Sequence, residues 1–282
     1  MSKMSEETEI EIYIRKPVNV SAQEYFKKYK KNKKKLIGLD RAIENIKSKL
    51  EALDKKKIEI KKVKEKKKLA WYERYHWGFT KNNFLIIAGR DAQTNEYIVK
   101  KYLEKEDLLF HSTIQGSAHV ILKQGQKSEK EDLESAALFA AVFSKAWNLG
   151  FASVDVYFVY PNQVSKTAQT GEFLSQGSFV IRGEKNFYKK IQMQLSLGIC
   201  NIEKFDKSFS GKRVFIGSEK LLKEKGINII AQVIPGRTKK GTIAKQIYNK
   251  LSKDEKDEIS LDEIIQALPP GTIDFVRTKK RK

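Results

Sequence analysis

The chain has 282 residues, 40% of them hydrophobic, and a formal net charge of +21 at pH 7. That surplus exceeds what solubility requires and points to a polyanionic partner, nucleic acid before anionic membrane. No apolar run approaches the ~20 residues a membrane-spanning helix needs, the N-terminal MSKMSEETEIEIYIRK lacks a signal-peptide core, and the single cysteine, Cys200, excludes a disulfide framework or a cysteine zinc site. A reducing, cytoplasmic setting is the expectation.

Residues Glu9–Ile14 alternate charged and apolar side chains, as a half-buried strand does. With no local neighbour, that strand must join a sheet elsewhere. Ser21-Ala22-Gln23-Glu24 reads as a capping box opening a long helix. Apolar residues then recur at spacings of three and four: Tyr29, Leu36, Leu39, Ile43, Ile46, Leu50 and Leu53, with Asn32 in register among them. This is a heptad seam on a helix about 50 Å long. Such a stripe needs a partner helix, and Asn32 would fix its register. Packing on the chain's own C-terminal part is the alternative. Lys27, Lys28, Lys30, Lys31 and Lys33–Lys35 crowd the first half, and a second lysine cluster spans Lys55–Lys68. Runs so poor in acid suit a phosphate backbone, which gives affinity without sequence selectivity; a solvated face is the other reading.

Composition changes at Trp71. Phe84–Ala88 reads as a buried strand, Gly89 as a tight turn, and Asp91 as the cap of a helix beginning at Ala92. A strand entering a helix N-terminus beside Arg90 can receive a phosphate. The helix runs to Leu103, with Lys100 on its outer face. Strands follow at Asp107–His111 and Ala118–Leu122, then a helix over Ser128–Trp147, then a strand over Val154–Tyr160 whose hydrophobicity implies an interior place in a sheet. The polar segment Pro161–Glu172 leads to a strand at Ser178–Arg182. Around it stand Gln163, Ser165, Lys166, Thr167, Arg182 and Lys185, with Phe187 and Tyr188. Cations beside aromatic rings suit backbone contact and base stacking on single-stranded RNA, although an ordinary surface connection is also polar. Beyond Gly198 the pattern weakens to strands at Lys212–Gly217 and Ile227–Ile234, a basic helix over Thr242–Leu251, a short helix opened by Ser260, and a basic tail, Arg277–Lys282.

The fold class is therefore α+β: a mixed sheet domain packed with helices, preceded by a long basic coiled-coil helix and followed by a small α/β extension. The expected divisions are residues 1–20, 21–70, 71–198 and 199–282. His76, His111 and His119 fit no standard zinc spacing. His111 and His119 fall on consecutive strands and could meet. No nucleophile elbow, Walker loop or dinucleotide fingerprint is present, so the expectation is a binding protein rather than an enzyme, with no metal or cofactor.

Several motifs taken together resemble the NFACT-R RNA-binding domain family: Trp71–Tyr75 leading to Gly89-Arg90-Asp91-Ala92-Gln93-Thr94-Asn95-Glu96, then Ser144–Trp147, then Gln163–Ala168 and Gly171–Leu174 through Gly177–Gly183. The start of the long helix, Ser21–Tyr25, is also similar, and Ile234–Gly241 with Leu268–Gly271 is similar to archaeal members. The resemblance implies a part in ribosome-associated quality control, binding a large ribosomal subunit that holds stalled peptidyl-tRNA. The candidate RNA contacts, on the residue pattern and the resemblance together, are Arg90, Lys100, His111, Gln163, Ser165, Lys166, Thr167, Arg182 and Lys185. The segment Phe110–Ser117 departs from the acidic residue and second histidine that eukaryotic-type members often carry, so for His111 the resemblance itself adds no role beyond structure. The chain resembles only the C-terminal half of the family, and the expected partners are ribosomal RNA or tRNA, the large subunit, and either a separate N-terminal-half protein or a second copy joined through the coiled coil. A coiled-coil adaptor binding anionic surfaces, and an RNA-processing enzyme using His111 and His119, are the competing readings.

Overall fold

In a computed structural model, the structure describes residues 17–61, 67–166 and 177–276, with side chains of 52–61 left aside. The expected strand Glu9–Ile14, residues Thr167 to Glu172 of the polar segment, Lys62, Lys64 and Lys66 of the second lysine cluster, and the basic tail lie outside the described residues. The chain divides into two units, Met1–Lys64 and Glu65–Lys282.

Among its described residues the first unit is one helix, α1 (Val18–Lys61). It begins directly after Pro17, whose carbonyl accepts from the amides of Val20 (3.0 Å) and Ser21 (3.3 Å). Proline is favoured at such a start because its fixed φ suits the helix and its missing N–H costs nothing there. Ser21 is thus inside the first turn, and the capping role expected of it does not arise. The seam follows the expected stripe and is half exposed from Tyr29 (56%) to Leu50 (53%). Phe26 and Ile37, outside the seam, are exposed as well, so the apolar surface is wider than a strict two-position stripe. Leu53 falls on the helix where only the backbone is described.

The second unit is α+β. Its first part comprises β1 (His76–Phe79), β2 (Leu85–Ala88), α2 (Ala92–Tyr102), β3 (Leu108–Ser112), β4 (Val120–Leu122), α3 (Lys130–Val142), α4 (Lys145–Asn148), β5 (Ser153–Val159), β6 (Val164–Ser165), β7 (Val180–Ile181) and β8 (Asn186–Gln192). Its second part continues with β9 (Leu195–Asn201), β10 (Lys212–Gly217), α5 (Glu219–Glu224), β11 (Ile229–Lys239), α6 (Lys240–Lys250), α7 (Lys253–Glu258), α8 (Leu261–Ala267) and β12 (Thr272–Phe275).

An antiparallel six-stranded sheet runs in the order β1-β2-β4-β3-β5-β8. Successive side chains on a strand face opposite sides, and both sides of this sheet are covered, which is why its inner strands read as unbroken apolar runs. Ile86, Phe110, Val120 and Val156 meet α3 in one core, while Ile87, Leu109, Ile121 and Val159 face α2 and Tyr72 in another. The alanine face of α3 permits close approach: a Cβ on Gly78 of β1 would lie 2.5 Å from the Phe139 ring.

Three expectations change. The single helix over Ser128–Trp147 is two, because Ser144 takes an extended conformation and its Oγ accepts from Ala146 N at 3.2 Å, capping α4. The strand at Ser178–Arg182 shrinks to β7, paired with β6 in a separate two-stranded sheet; β8 takes the place beside β5. The boundary expected between residues 198 and 199 falls inside β9, the strand that pairs with β10 and β11 in a second sheet of order β10-β9-β11-β12. Leu195, Leu197, Ile243, Leu268 and Ile273 belong to the same buried cluster as Phe110 and Trp147, so residues 199–276 close the core of the unit.

Candidate nucleic-acid interface

The junction of β2 and α2 is set by local chemistry. Asp91 is extended, and its carboxylate accepts from Thr94 N at 2.7 Å. Thr94 Oγ1 accepts in return from the amides of Arg90 (2.8 Å) and Asp91 (2.9 Å). These bonds satisfy donors that a helix start leaves unpaired. One turn on, buried Asn95 binds the turn after β3, donating to Ser117 O (3.2 Å) and accepting from His119 N (2.9 Å). Gly89 must be glycine here, since a Cβ would stand 2.1 Å from Asn95 Oδ1.

These elements wall a cleft of about 880 Å³. Its floor is made of rings. His111 and His119 have centroids 4.9 Å apart, His119 meets Phe179 edge-on at 5.4 Å, and His111 lies 6.0 Å from Tyr157, its register partner on β5. Lys185 Nζ stands 4.5 Å over the Tyr157 ring and Lys166 Nζ 5.9 Å over Phe179. At the other end His76 stacks on Phe143 at 3.9 Å. Burial holds His111 below the ordinary imidazole value and takes His119 down to about 3, with His111 adding to the latter. Both rings are therefore neutral near pH 7. His76 is held well below its ordinary value by burial, with repulsion from Arg90 and Lys240. His111 Nδ1 lies 2.6 Å from Ser112 O, so that nitrogen carries the proton and donates.

The charge on the walls is uneven. Among the described residues, Arg90, Lys145 and Lys185 line the cleft and are exposed, against one carboxylate, Asp91, already engaged by Thr94. Arg90 is positioned by neutral acceptors, Tyr75 O at 3.1 Å and Gln266 Oε1 at 3.3 Å. Among the described residues no group of three His, Cys, Asp or Glu side chains could hold a metal ion, and no helix is long and apolar enough to cross a membrane.

Residues 74–183 match the sequence profile of the NFACT protein RNA binding domain. By that match this segment resembles an NFACT RNA-binding domain. Among similar proteins, the archaeal Rqc2 homolog of Methanocaldococcus jannaschii is 37% identical over 228 residues, which are 80% of this chain and 32% of that protein. The ribosome quality control complex subunit NEMF homolog of Drosophila melanogaster is 36% identical over 181 residues, 64% of this chain and 18% of that protein. The chain thus spans about a third of the first relative and under a fifth of the second. The solved C-terminal part of the fibronectin/fibrinogen-binding protein of Streptococcus suis aligns at 22% identity with a TM-score of 0.37, covering 70% of this chain and 82% of that one.

The expected contacts separate into two groups. Arg90, His111 and Lys185 come together on the cleft. Lys100 and Lys166 do not stand free: both pair with Glu96, Lys100 at 2.8 Å, and Glu96 also accepts from Gly177 N at 3.2 Å. Gln163 is a strap. Its Oε1 accepts from Tyr160 N (2.8 Å), and its Nε2 donates to Arg182 O (2.9 Å) and Glu184 O (2.8 Å), which uses its amide to fix the segment. Ser165 sits in β6 opposite Val180, and Arg182 is exposed just past β7. Tyr157, Phe179 and Lys145 are cleft residues that the expected set omits. Alternation along β5 puts Tyr157 on the α2 side of the sheet, but only the pairing of β5 with β3 brings it to His111.

Proposed function

We propose that this chain is a non-enzymatic RNA-binding component of ribosome-associated quality control that engages a large ribosomal subunit holding stalled peptidyl-tRNA. The observation that carries the reading is that the segment matching the RNA-binding domain builds most of a cationic, ring-lined cleft. The relatives described as ribosome quality control subunits supply the cellular context. The half-exposed stripe of α1 supports a further helix as partner, from a second copy or from another protein supplying an N-terminal half, and the lysine-rich first half of α1 adds phosphate contacts.

The test is binding to purified large subunits with and without peptidyl-tRNA. Preference for the tRNA-bearing subunit is expected. If Arg90, Lys145 and Lys185 make three phosphate contacts, affinity falls roughly 20- to 40-fold between about 50 and about 200 mM salt. Equal binding to both subunits, or binding indifferent to salt, would overturn the reading.

A further inference from the structure

The cleft has features that a general phosphate-binding surface does not need. A polyanion backbone is held by exposed lysines and arginines on open surface, and base identity or pairing does not enter. Here exposed cations line a concavity that also holds, among the described residues, a run of uncharged rings: His111, His119, Phe179 and Tyr157 form a continuous series with ring centroids within 6.0 Å of one another along the chain of contacts. At about 880 Å³ the space falls within the range of small-ligand sites, roughly 300–1,000 Å³, and is too confined for a duplex. Bases inside a helix are stacked and out of reach of such a floor, whereas an unpaired base can be splayed out and laid against rings.

We propose that the cleft takes one unpaired nucleotide of an RNA, its base against the His111–His119–Phe179 floor and its phosphates toward Arg90, Lys145 and Lys185. This rests on the RNA-binding reading above and narrows it to a structural class, RNA with a bulged or single-stranded nucleotide. The neutrality of both histidines fits it, because an imidazolium floor would favour phosphate over a base face. Phe179 is the ring to test, since Lys166 and His119 hold it at the cleft without a buried hydrogen bond of its own.

The experiment compares a blunt RNA duplex with the same duplex carrying one bulged nucleotide, titrated with the full chain. The bulged duplex is expected to bind more tightly, by roughly 5- to 150-fold if stacking on the floor has its usual weight. Phe179→Ala should lower its affinity to that of the blunt duplex, and Phe179→Trp should retain the preference, which separates loss of a ring from loss of fold. Lys145→Glu, an exposed change, should weaken both RNAs. Equal wild-type affinity for the two duplexes, or an equal loss for both in Phe179→Ala, overturns the nucleotide site while leaving RNA binding standing. Absence of binding to either RNA at low salt overturns both readings.

Discussion

The Arg213 guanidinium and the Glu73 carboxylate meet at 2.7 Å with side chains only 2% and 8% exposed. Arg213 belongs to β10 and Glu73 to the turn that precedes β1, so the pair ties the entry of the first sheet to the second. Further Arg213 nitrogens reach Lys212 O (3.1 Å) and Lys68 O (3.3 Å), and Glu73 Oε1 accepts from Ala70 N (2.8 Å). A buried pair with its remaining groups satisfied is costly to break on one side, because the survivor keeps its charge without a partner. Arg213→Ala and Glu73→Ala should each cost about 3–5 kcal/mol in urea unfolding. The double change Glu73→Leu/Arg213→Met should cost less than their sum.

Gly89→Ala should damage both stability and binding. The added Cβ meets Asn95 Oδ1 at 2.1 Å and Asn95 N and Cα at 2.8 and 2.9 Å. The side chain cannot swing aside without freeing the buried His119 amide. A loss of about 1–3 kcal/mol is expected, with weaker RNA binding as α2 shifts away from the cleft. Gly38→Ala in α1 is the contrast, since nothing lies within 4 Å of its Cβ; there a gain of up to about 1 kcal/mol is expected. Thermal melting and RNA titration of both variants check the pair.

The pH profile has a defined sign. Unfolded, the His119 imidazole takes a proton near its ordinary 6.5; folded, burial delays it to about 3. Between those values the unfolded state binds more protons, so stability falls as pH drops through this window and is flat, for this group, above it. His111 and His76 are shifted in the same direction. Urea midpoints for the wild type and His119→Asn should therefore diverge least near pH 4 and most near neutrality, the variant having the shallower acid slope. An equally steep slope in the variant would assign it to other groups. RNA affinity should show no inflection near 6.5 from these rings.

Leu39 and Ile43 are 58% and 50% exposed on α1. Pairing through that stripe predicts that Leu39→Asp/Ile43→Asp abolishes association measured by sedimentation, or retention of a partner in native purification, while the melting of the sheet-containing unit is unchanged. Retained association would place the contact off the seam.

How much of this was legible beforehand depends on how local the cause was. The β2–Gly89–α2 junction is written within eight residues, because Asp91 and Thr94 satisfy each other's neighbours, and the expected elements match it closely. The break at Ser144 was hidden because serine also fits the helical periodicity of the alanine face. Strand β8, Asn186–Gln192, is mostly exposed and lysine-rich, so it carries little alternation, and its place beside β5 follows only from tertiary pairing. In the cleft, the meeting of His111 and His119 follows from consecutive strands. The capture of Lys166 by Glu96 and the use of Gln163 as a strap depend on contacts between segments that spacing along the chain does not reveal.

The indole of Trp147, 1% exposed, donates to Thr272 O at 3.3 Å, a bond between residues 125 apart. Trp147 lies in the segment that matches the RNA-binding domain, and Thr272 opens β12. During synthesis, therefore, the six-stranded sheet is complete well before the groups that cover this part of its core have been made, and α3 and α4 wait with apolar surface uncovered. The core of the unit closes only once β12 has been made, and a chain interrupted earlier would present a nearly complete binding face on an open, aggregation-prone core.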